Sequence, residues 1–175
     1  MSVGIKRDRR SRTASTEIFI RDATEHDLPA IVAIYNAAIA TRCSTAQLEP
    51  VTVESRKHWV NGEYPFWVAE IDGEVVGWLS FREFLPRCAY RGTVELSVYV
   101  SDKHRRCGIA SRLLSEAIAR APALGMHSLV GLIFAHNTPS IALFRNAGFE
   151  RWGLLPRVAR IENQARDLTI FGRQV

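Results

Sequence analysis

The segment TVELSVYVSDKHRRCGIASRLL, residues 93–114, carries the strongest structural signal in the chain. Its first part alternates as a half-buried strand does, with every second residue apolar from Val94 to Val100. Apolar residues then recur at helical spacing from Ile109 to Ala121. The segment therefore predicts a strand that enters a helix through the connection formed by residues 101–108.

This connection is basic and ends on a glycine. A helix N-terminus carries unpaired N–H groups and partial positive charge, so a loop that turns into it through Gly108 forms an anion cradle. Arg105 and Arg106 add full charges, which favours a phosphate or a pyrophosphate; a solvated turn without a ligand is the alternative. The spacing R-x-x-G-x-A, ending at Ala110, matches neither the three-glycine dinucleotide fingerprint nor a phosphate-binding loop that ends in G-K-S/T.

A second strand and a second helix follow. SLVGLIF, residues 128–134, is a nearly continuous apolar run, typical of a strand covered on both sides. Strand, helix and strand in this order predict a right-handed βαβ unit. NTPSIALFRNAGF, residues 137–149, predicts another helix with Thr138 as N-cap, Pro139 at its first position and Gly148 as its stop.

The remaining elements lie on either side of this unit. A short strand over residues 17–23 precedes a helix whose start resembles a capping box, with Thr24 followed by Asp27. A further helix is predicted over residues 53–61, and a hairpin over residues 66–83 turns at Asp72-Gly73. Two more strands close the chain, which predicts a mixed α/β fold.

Length and charge predict one domain with a basic extension. A chain of 175 residues with 47% hydrophobic residues supports one substantial core. The formal net charge is +5, of which +4 lies in residues 1–16, so the remainder is nearly neutral. We expect residues 1–16 to be a disordered basic tail and residues 17–175 to form a single domain. A solvated extension is the simplest interpretation of the tail, and a contact with nucleic acid or a membrane is the alternative.

Cysteine usage and hydropathy narrow the location. No apolar stretch follows the basic residues as in a secretory signal, and no run reaches the length of a membrane span. Cys43, Cys88 and Cys107 are odd in number and widely spaced, which argues against a disulfide framework and against a metal site. The sequence predicts a reduced, cytoplasmic setting without a nucleic-acid or membrane partner.

The loop resembles the acetyl-CoA pyrophosphate motif of the GNAT superfamily of N-acetyltransferases, R/Q-x-x-G-x-G/A after a strand. Residues 93–114 as a whole are similar to the core of the subgroup that contains phosphinothricin, methionine sulfoximine and related L-amino acid N-acetyltransferases. Further matches are DATEHDLPAIVAIYN, VAEIDGEVVGWLSF, NTPSIALFRNAGF and RDLTIF, so the resemblance covers residues 18–172. It implies a twisted central mixed sheet of about six to seven strands with about four flanking helices and a splayed βαβ cofactor site.

The resemblance also assigns residues to acetyl-CoA, the implied cofactor. The β-strand backbone would line pantetheine, the basic loop would hold the pyrophosphate, and two residues at the following helix would face the pantetheine arm. In that order the implied residues are Val98, Tyr99 and Val100; Arg105, Arg106, Cys107, Gly108, Ile109 and Ala110; and Asn137 and Ser140. Ser140, like Asn137, has a simpler alternative role as a helix cap.

Acetyl transfer from a thioester to an amine needs the amine in its neutral form, because an ammonium group has no lone pair with which to attack the thioester. A carboxylate serves as general base, directly or through an ordered water. Glu95 matches the acidic residue of the family, and we expect it to be this base; an exposed strand glutamate that pairs with an arginine is the alternative.

Two positions depart from the family pattern. Phe144 stands where many members carry a tyrosine that protonates the leaving thiolate, so this residue cannot be the acid. Arg166 stands where the phosphinothricin enzymes carry a histidine, and it is a candidate for the substrate carboxylate; a surface arginine near the chain end is the alternative. Arg82, Tyr90 and Arg91, in the loop that shapes the acceptor pocket of the subgroup, are further candidates.

The implied activity is acetylation of the α-amino group of a small L-amino acid or of a related toxin, such as methionine sulfoximine, methionine sulfone or phosphinothricin. One alternative keeps the fold and cofactor but uses a polyamine, an aminoglycoside or a protein N-terminus. Another is a non-catalytic acyl-CoA-binding protein. Because relatives in this subgroup commonly dimerise, the resemblance also implies a homodimer.

Overall fold

The structure, a computed structural model, describes residues 17–175. Seven strands form one sheet in the order β1-β2-β3-β4-β5-β7-β6. The strands are β1 (Phe19–Asp22), β2 (Phe66–Ile71), β3 (Glu74–Glu83), β4 (Thr93–Val100), β5 (Ser128–Phe134), β6 (Glu150–Ile161) and β7 (Gln164–Gln174). The helices are α1 (Leu28–Ala40), α2 (Lys57–Val60), α3 (Ile109–Arg120) and α4 (Thr138–Asn146). The predicted mixed α/β fold is confirmed, and the predicted tail, residues 1–16, lies outside the described residues.

The centre of the sheet is splayed. All neighbouring strands are antiparallel except β4 and β5, which are parallel and pair only from Thr93–Ser128 to Glu95–Val130. Beyond these pairs β4 stays paired with β3 as far as Val100, whereas β5 stays paired with β7. The two strands therefore separate from Leu96 onward, as the resemblance implied.

The alternation in β4 separates two packing layers. Val94 and Leu96 are buried in a core with α3, and Val98 and Val100 pack against the same core. Tyr99 points to the other face and packs with residues of α1, β2 and β3. The indole N–H of Trp78 donates to the Ile31 carbonyl at 3.2 Å and ties α1 to the sheet. The alternation predicted for residues 93–100 is confirmed.

Both predicted turn motifs are present. The Thr24 amide donates to the Asp27 carboxylate at 2.7 Å, and a 3₁₀ turn at Glu25–Asp27 leads into α1. The β2–β3 hairpin turns at Asp72 and Gly73, with φ of 51° and 80°. This left-handed pair suits a two-residue hairpin and explains the Asp-Gly dipeptide.

Three sequence expectations need correction. The N-cap of α4 is Asn137, not Thr138, since the Asn137 side chain accepts from the Ser140 amide at 3.2 Å. The helix predicted for residues 53–61 is a 3₁₀ turn, Glu54–Arg56, followed by the short α2. The strand β5 is buried except at Leu132, which is 36% exposed because it borders the open cavities described below.

No helix within residues 17–175 is long and apolar enough to cross a membrane.

Candidate active site

Two cavities meet where β4 and β5 separate. The splay cavity, about 500 Å³, lies between β4, β5, α3 and α4. The aromatic cavity, about 710 Å³, lies on the α1 side of the sheet. Both are lined by Ser44, Ser97, Tyr99, Leu132 and Phe134. Two ligands bound in these cavities would thus meet at the β4 residues Ser97 and Tyr99.

The splay cavity collects most of the predicted cofactor residues. It is lined by Val98, Tyr99, Val100, Arg105, Arg106, Gly108, Ile109, Ala110, Asn137 and Ser140. Cys107 is the exception: its side chain is exposed, and its thiol lies 3.6 Å from the Arg105 carbonyl. The structure therefore does not bring the Cys107 thiol into the cavity.

The basic loop is shaped to present charge to this cavity. Arg106 and Gly108 both have left-handed φ, 62° and 80°, which bends the chain sharply into the first turn of α3. Open space surrounds the Cα of Gly108, so nothing blocks the approach of a ligand to the backbone there. Arg105 pairs with Asp102 at 2.5 Å and still lines the cavity. The loop and the α3 N-terminus together form a cationic cradle suited to a phosphate group.

A polar group missed by the sequence reasoning lies beside the cradle. His104 lines the splay cavity, and its Nδ1 is buried without a hydrogen-bond partner among the described residues. A buried polar atom without a partner costs free energy that a bound ligand recovers. The position immediately before Arg105 was the only signal in the sequence that pointed to it.

These features fit acetyl-CoA. The cradle provides an anion site at one end of the cavity, and from Leu96 onward the edge of β4 that faces away from β3 has no strand partner. An amide-rich ligand arm can bond to that free edge as a neighbouring strand would. At Ser97 and Tyr99 the cavity adjoins the aromatic cavity, because both residues line both cavities.

Aromatic rings form one wall of the aromatic cavity. Its lining includes Tyr35, Trp59, Phe66, Trp78 and Tyr99. The Tyr99 ring lies 4.5 Å from the Trp78 ring and 5.2 Å from the Tyr35 ring, and Trp59 stacks on Phe66 at 6.0 Å. These residues come from α1, α2, β2, β3 and β4, so their convergence could not be read from the spacing of any one element.

A carboxylate also lines the aromatic cavity. Glu95 is only 7% exposed, lines the cavity and forms an ion pair with Arg82, its direct neighbour on β3. The Arg82 side chain is 66% exposed, which leaves part of its guanidinium open to the cavity. Glu95 therefore faces the aromatic cavity, not bulk solvent.

The other predicted acceptor residues lie outside both cavities. Tyr90 is exposed and lies edge-on to Phe84, and the Arg91 carbonyl bonds to the His127 ring at 3.0 Å. Arg166 is half-buried opposite Ala159, which lines the aromatic cavity. The Arg166 Nε has no partner among the described residues. Of the four predicted acceptor residues, the structure places only Arg82 in the cavity.

The position at which many family members carry a tyrosine that protonates the leaving thiolate is apolar here. Phe144 is 3% exposed, lines the splay cavity and packs edge-to-face on Phe149. The phenol that does reach the junction belongs to Tyr99, whose hydroxyl donates to the Ser44 carbonyl at 3.1 Å. Burial raises the pKa of Tyr99, so its hydroxyl stays protonated at neutral pH.

Comparison with known proteins yields consistent matches. The Acetyltransferase (GNAT) family matches residues 31–149. YwnH of Bacillus subtilis (strain 168), which carries a phosphinothricin acetyltransferase name, is 46% identical over 160 residues, covering 89% of this chain and 98% of its own. The L-methionine sulfoximine/L-methionine sulfone acetyltransferase of Pseudomonas aeruginosa is 41% identical over 157 residues, covering 87% and 91%. A crystal structure of a GNAT superfamily phosphinothricin acetyltransferase from Sinorhizobium meliloti with acetyl-CoA superimposes with a TM-score of 0.84 at 31% identity, covering 90% and 88%.

Proposed function

This chain belongs to the GNAT acetyltransferase family, and on that premise we propose that it transfers an acetyl group from acetyl-CoA to the α-amino group of a small L-amino acid. The acceptors are amino acids or amino-acid-like toxins of the methionine sulfoximine, methionine sulfone and phosphinothricin type. The observation that carries this proposal is the meeting of the splay cavity with the aromatic cavity beside the buried carboxylate of Glu95.

The splay cavity is the acetyl-CoA site. Arg105, Arg106 and the backbone N–H groups at the start of α3 would hold the diphosphate, and the free edge of β4 from Val98 to Val100 would hold the pantetheine arm. When bound, acetyl-CoA supplies an activated thioester. Backbone N–H groups of this strand, already fixed in direction by the sheet, stabilise negative charge that develops on the carbonyl oxygen.

Glu95 is the general base. The attacking amine must be neutral, and a carboxylate at the junction takes up its surplus proton directly or through one water. The nitrogen forms the new amide bond as the carbon–sulfur bond breaks, and the electron pair of that bond leaves on sulfur. A thiolate leaves without prior protonation, so Phe144 in place of a tyrosine is compatible with turnover.

Arg82 sets the orientation of the acceptor. Its guanidinium holds Glu95 with one N–H group and presents others to the cavity, where they suit a carboxylate. An amino acid bound through its carboxylate to Arg82 would have its α-amino group beside Glu95. Arg166, next to the cavity wall at Ala159, is a second candidate for an acidic group of the acceptor. A polyamine or an aminoglycoside has no carboxylate for these arginines.

We also propose that the enzyme is a homodimer. β6 is an edge strand of the sheet and carries large exposed apolar side chains, namely Trp152, Leu154, Leu155 and Val158. A second copy of the chain would cover them, because an exposed apolar edge strand tends to pair with another chain. A single domain over residues 17–175 and a cytoplasmic location complete the proposal; the three exposed free cysteines suit a reducing compartment.

Thiol release from acetyl-CoA tests the activity. The acceptor panel contains L-methionine sulfone, L-methionine sulfoximine, phosphinothricin, ordinary L-amino acids, spermidine and an aminoglycoside. We expect rates with the amino acids and their analogues only. A rate confined to spermidine or the aminoglycoside would favour another amine, and acetyl-CoA binding without turnover on any amine would favour a non-catalytic binding protein.

A further inference from the structure

A short stretch of chain after α1 crosses the junction of the two cavities. This Ser44 segment, residues 43–45, contains Ser44, which lines both the splay cavity and the aromatic cavity. The segment belongs to no helix or strand, so contacts from neighbouring elements must hold it in place. The segment therefore lies at the place where the two cavities adjoin.

Three side chains from three different elements hold the segment. The Tyr99 hydroxyl of β4 donates to the Ser44 carbonyl at 3.1 Å. The Tyr35 hydroxyl of α1 lies 2.8 Å from the Thr45 hydroxyl. The Asn137 amide at the start of α4 donates to the Cys43 carbonyl at 3.3 Å. Each residue of the segment is therefore bonded to a different part of the fold.

The Tyr99 bond is the central one of the three. The Tyr99 ring is held against Trp78 and Tyr35, with ring centroids 4.5 Å and 5.2 Å apart, so its hydroxyl is delivered to a fixed point. These two ring contacts restrict the orientation of the Tyr99 side chain before its hydroxyl forms a hydrogen bond. The hydrogen bond to Ser44 therefore costs less conformational entropy. Tyr99 also lines both cavities, which makes it the link between the sheet and the segment at the place where the ligands meet.

We propose that the Tyr99 hydroxyl is a positioning group that holds the Ser44 segment at the junction and thereby fixes the acceptor amine against the acetyl donor. This goes beyond the backbone contact with pantetheine assigned to Tyr99 above, and it rests on the proposed function. The hydroxyl acts through the Ser44 carbonyl and needs no contact with the reacting atoms. Its removal frees one side of the acceptor cavity but leaves the diphosphate cradle and the free edge of β4 unchanged.

The variant Tyr99→Phe tests this, because it keeps the ring contacts and removes only the oxygen. We expect the KM for the amine to rise about 2- to 10-fold, as for loss of one hydrogen bond, with little change in kcat. The Kd for acetyl-CoA, measured by titration calorimetry, should stay within about twofold of the wild type, since the cradle is untouched. Tyr90→Phe, whose side chain lies outside both cavities, is the matched control and should change neither constant.

A second variant separates positioning from a general loss of stability. Tyr35→Phe removes the bond to Thr45 from the same segment, and the effects of the two changes on the amine KM should be non-additive in the double variant, since both act on one segment. Hydrogen exchange of the amides over residues 43–47 should be faster in Tyr99→Phe while the amides of β4 keep their protection.

An unchanged amine KM in Tyr99→Phe, or an equal weakening of acetyl-CoA binding, would overturn the inference. Failure of the proposed function has a different signature, namely a wild-type enzyme that acetylates no amino acid. In that case hydrogen exchange still reports on the segment, and unchanged exchange in Tyr99→Phe would overturn its positioning role independently of any activity.

Discussion

Arg82 and Glu95 are direct neighbours across β3 and β4, and the guanidinium of one is hydrogen-bonded to the carboxylate of the other at the wall of the aromatic cavity. Glu95 is buried whereas the Arg82 side chain is 66% exposed, so removing Arg82 leaves a buried carboxylate without its partner. The pair therefore links the proposed base to the proposed anchor for the acceptor carboxylate, and changes at either position must be interpreted with the other in mind.

Glu95→Gln should reduce kcat/KM by about 10²- to 10⁴-fold, because the amide keeps the shape of the side chain but cannot take up the proton of the amine. Steady-state thiol release with L-methionine sulfone measures the loss. Acetyl-CoA binding, followed by calorimetry, should be unaffected and serves as the control for folding. A variant that turns over at the wild-type rate would remove Glu95 from the mechanism but leave the acetyl-CoA site in place.

The charge of the aromatic cavity predicts a preference among the proposed acceptors. Within the described residues, Arg82 is the only lysine or arginine in its lining, against the two carboxylates Glu63 and Glu95. Phosphinothricin brings a second anionic group, which would find no further cation in this lining and would have to reach Arg166 beside Ala159, outside the lining. The side chain of methionine sulfone is uncharged. We expect a kcat/KM for phosphinothricin at least about tenfold lower, since an unpaired charge is costly to desolvate.

A gain-of-function variant checks the same point. Gln47 lines the aromatic cavity, and Gln47→Lys should raise kcat/KM for phosphinothricin relative to methionine sulfone by supplying a second cation. The neutral variant Gln47→Leu is the matched control and should not change the ratio in that direction. Equal rates with both acceptors in the wild type would contradict this account of selectivity.

Arg105→Ala should weaken acetyl-CoA binding about 5- to 30-fold, because it removes a charged donor from the diphosphate cradle. The affinity of the wild type should also fall with added salt more steeply than that of the variant. Lys103→Ala makes the comparison sharp, since Lys103 lies in the same connection but does not line the splay cavity. Equal losses in both variants would point to a diffuse charge effect in place of a specific contact.

The Arg21–Asp27 ion pair before α1 makes the stability of the protein depend on pH in the acidic range. Hydrogen bonding to Arg21 lowers the pKa of Asp27 from 3.8 to about 2. A carboxyl group with a lowered pKa in the folded state stabilises the protein above pH 4, and this stabilisation is lost as the pH falls from about 4 towards 2. We expect the loss to be on the order of 2 kcal/mol in the free energy of unfolding, given the nearly full burial of Asp27.

Urea unfolding at pH 7, 4 and 3 measures this dependence. Asp27→Asn should be less stable at pH 7 and should lose less stability between pH 4 and pH 3 than the wild type. Parallel pH curves for the two proteins would show that Asp27 is not the group responsible.

The exposed apolar side chains of β6, Trp152, Leu154, Leu155 and Val158, predict the oligomeric state. Light scattering coupled to size exclusion should give twice the chain mass of 19.7 kDa for the wild type. Val158 is the most exposed of these side chains, at 57%. Val158→Glu should give the monomer, because burying the added charge in a dimer interface is unfavourable. Thr52→Glu, at an exposed position far from β6 in the sequence, is the control. A monomeric wild type would refute the homodimer.

Much of the donor site was predictable because its residues are close in sequence. The loop and helix from Arg105 to Ala110 owe their positive charge and free N–H groups to local sequence and backbone geometry, and the strand before them shows its two faces in its alternation. Asn137 lines this cavity as predicted and also caps α4, which was its alternative role, whereas the predicted N-cap Thr138 is the first residue of the helix. The N-cap of a helix is the residue whose side chain reaches the free backbone N–H groups of the first turn. This depends on local backbone geometry, which the sequence does not specify to within one residue.

The acceptor site was less predictable because it is assembled from distant parts of the chain. The resemblance implies Tyr90 and Arg91 as acceptor residues, because they lie in the loop that shapes the acceptor pocket of the subgroup, yet neither side chain lines the aromatic cavity. No sequence motif predicts the aromatic wall or the Ser44 segment, since the positions of Tyr35 and Trp59 in the sequence do not indicate that they lie near Tyr99. By itself the sequence determined the order of the elements, the two faces of β4 and the basic loop that enters α3 through Gly108, because local periodicity and loop chemistry act within a few residues. Only the tertiary structure decided that Arg82 pairs with Glu95 and that the Ser44 segment crosses the junction, because strand register and long-range packing bring those residues together.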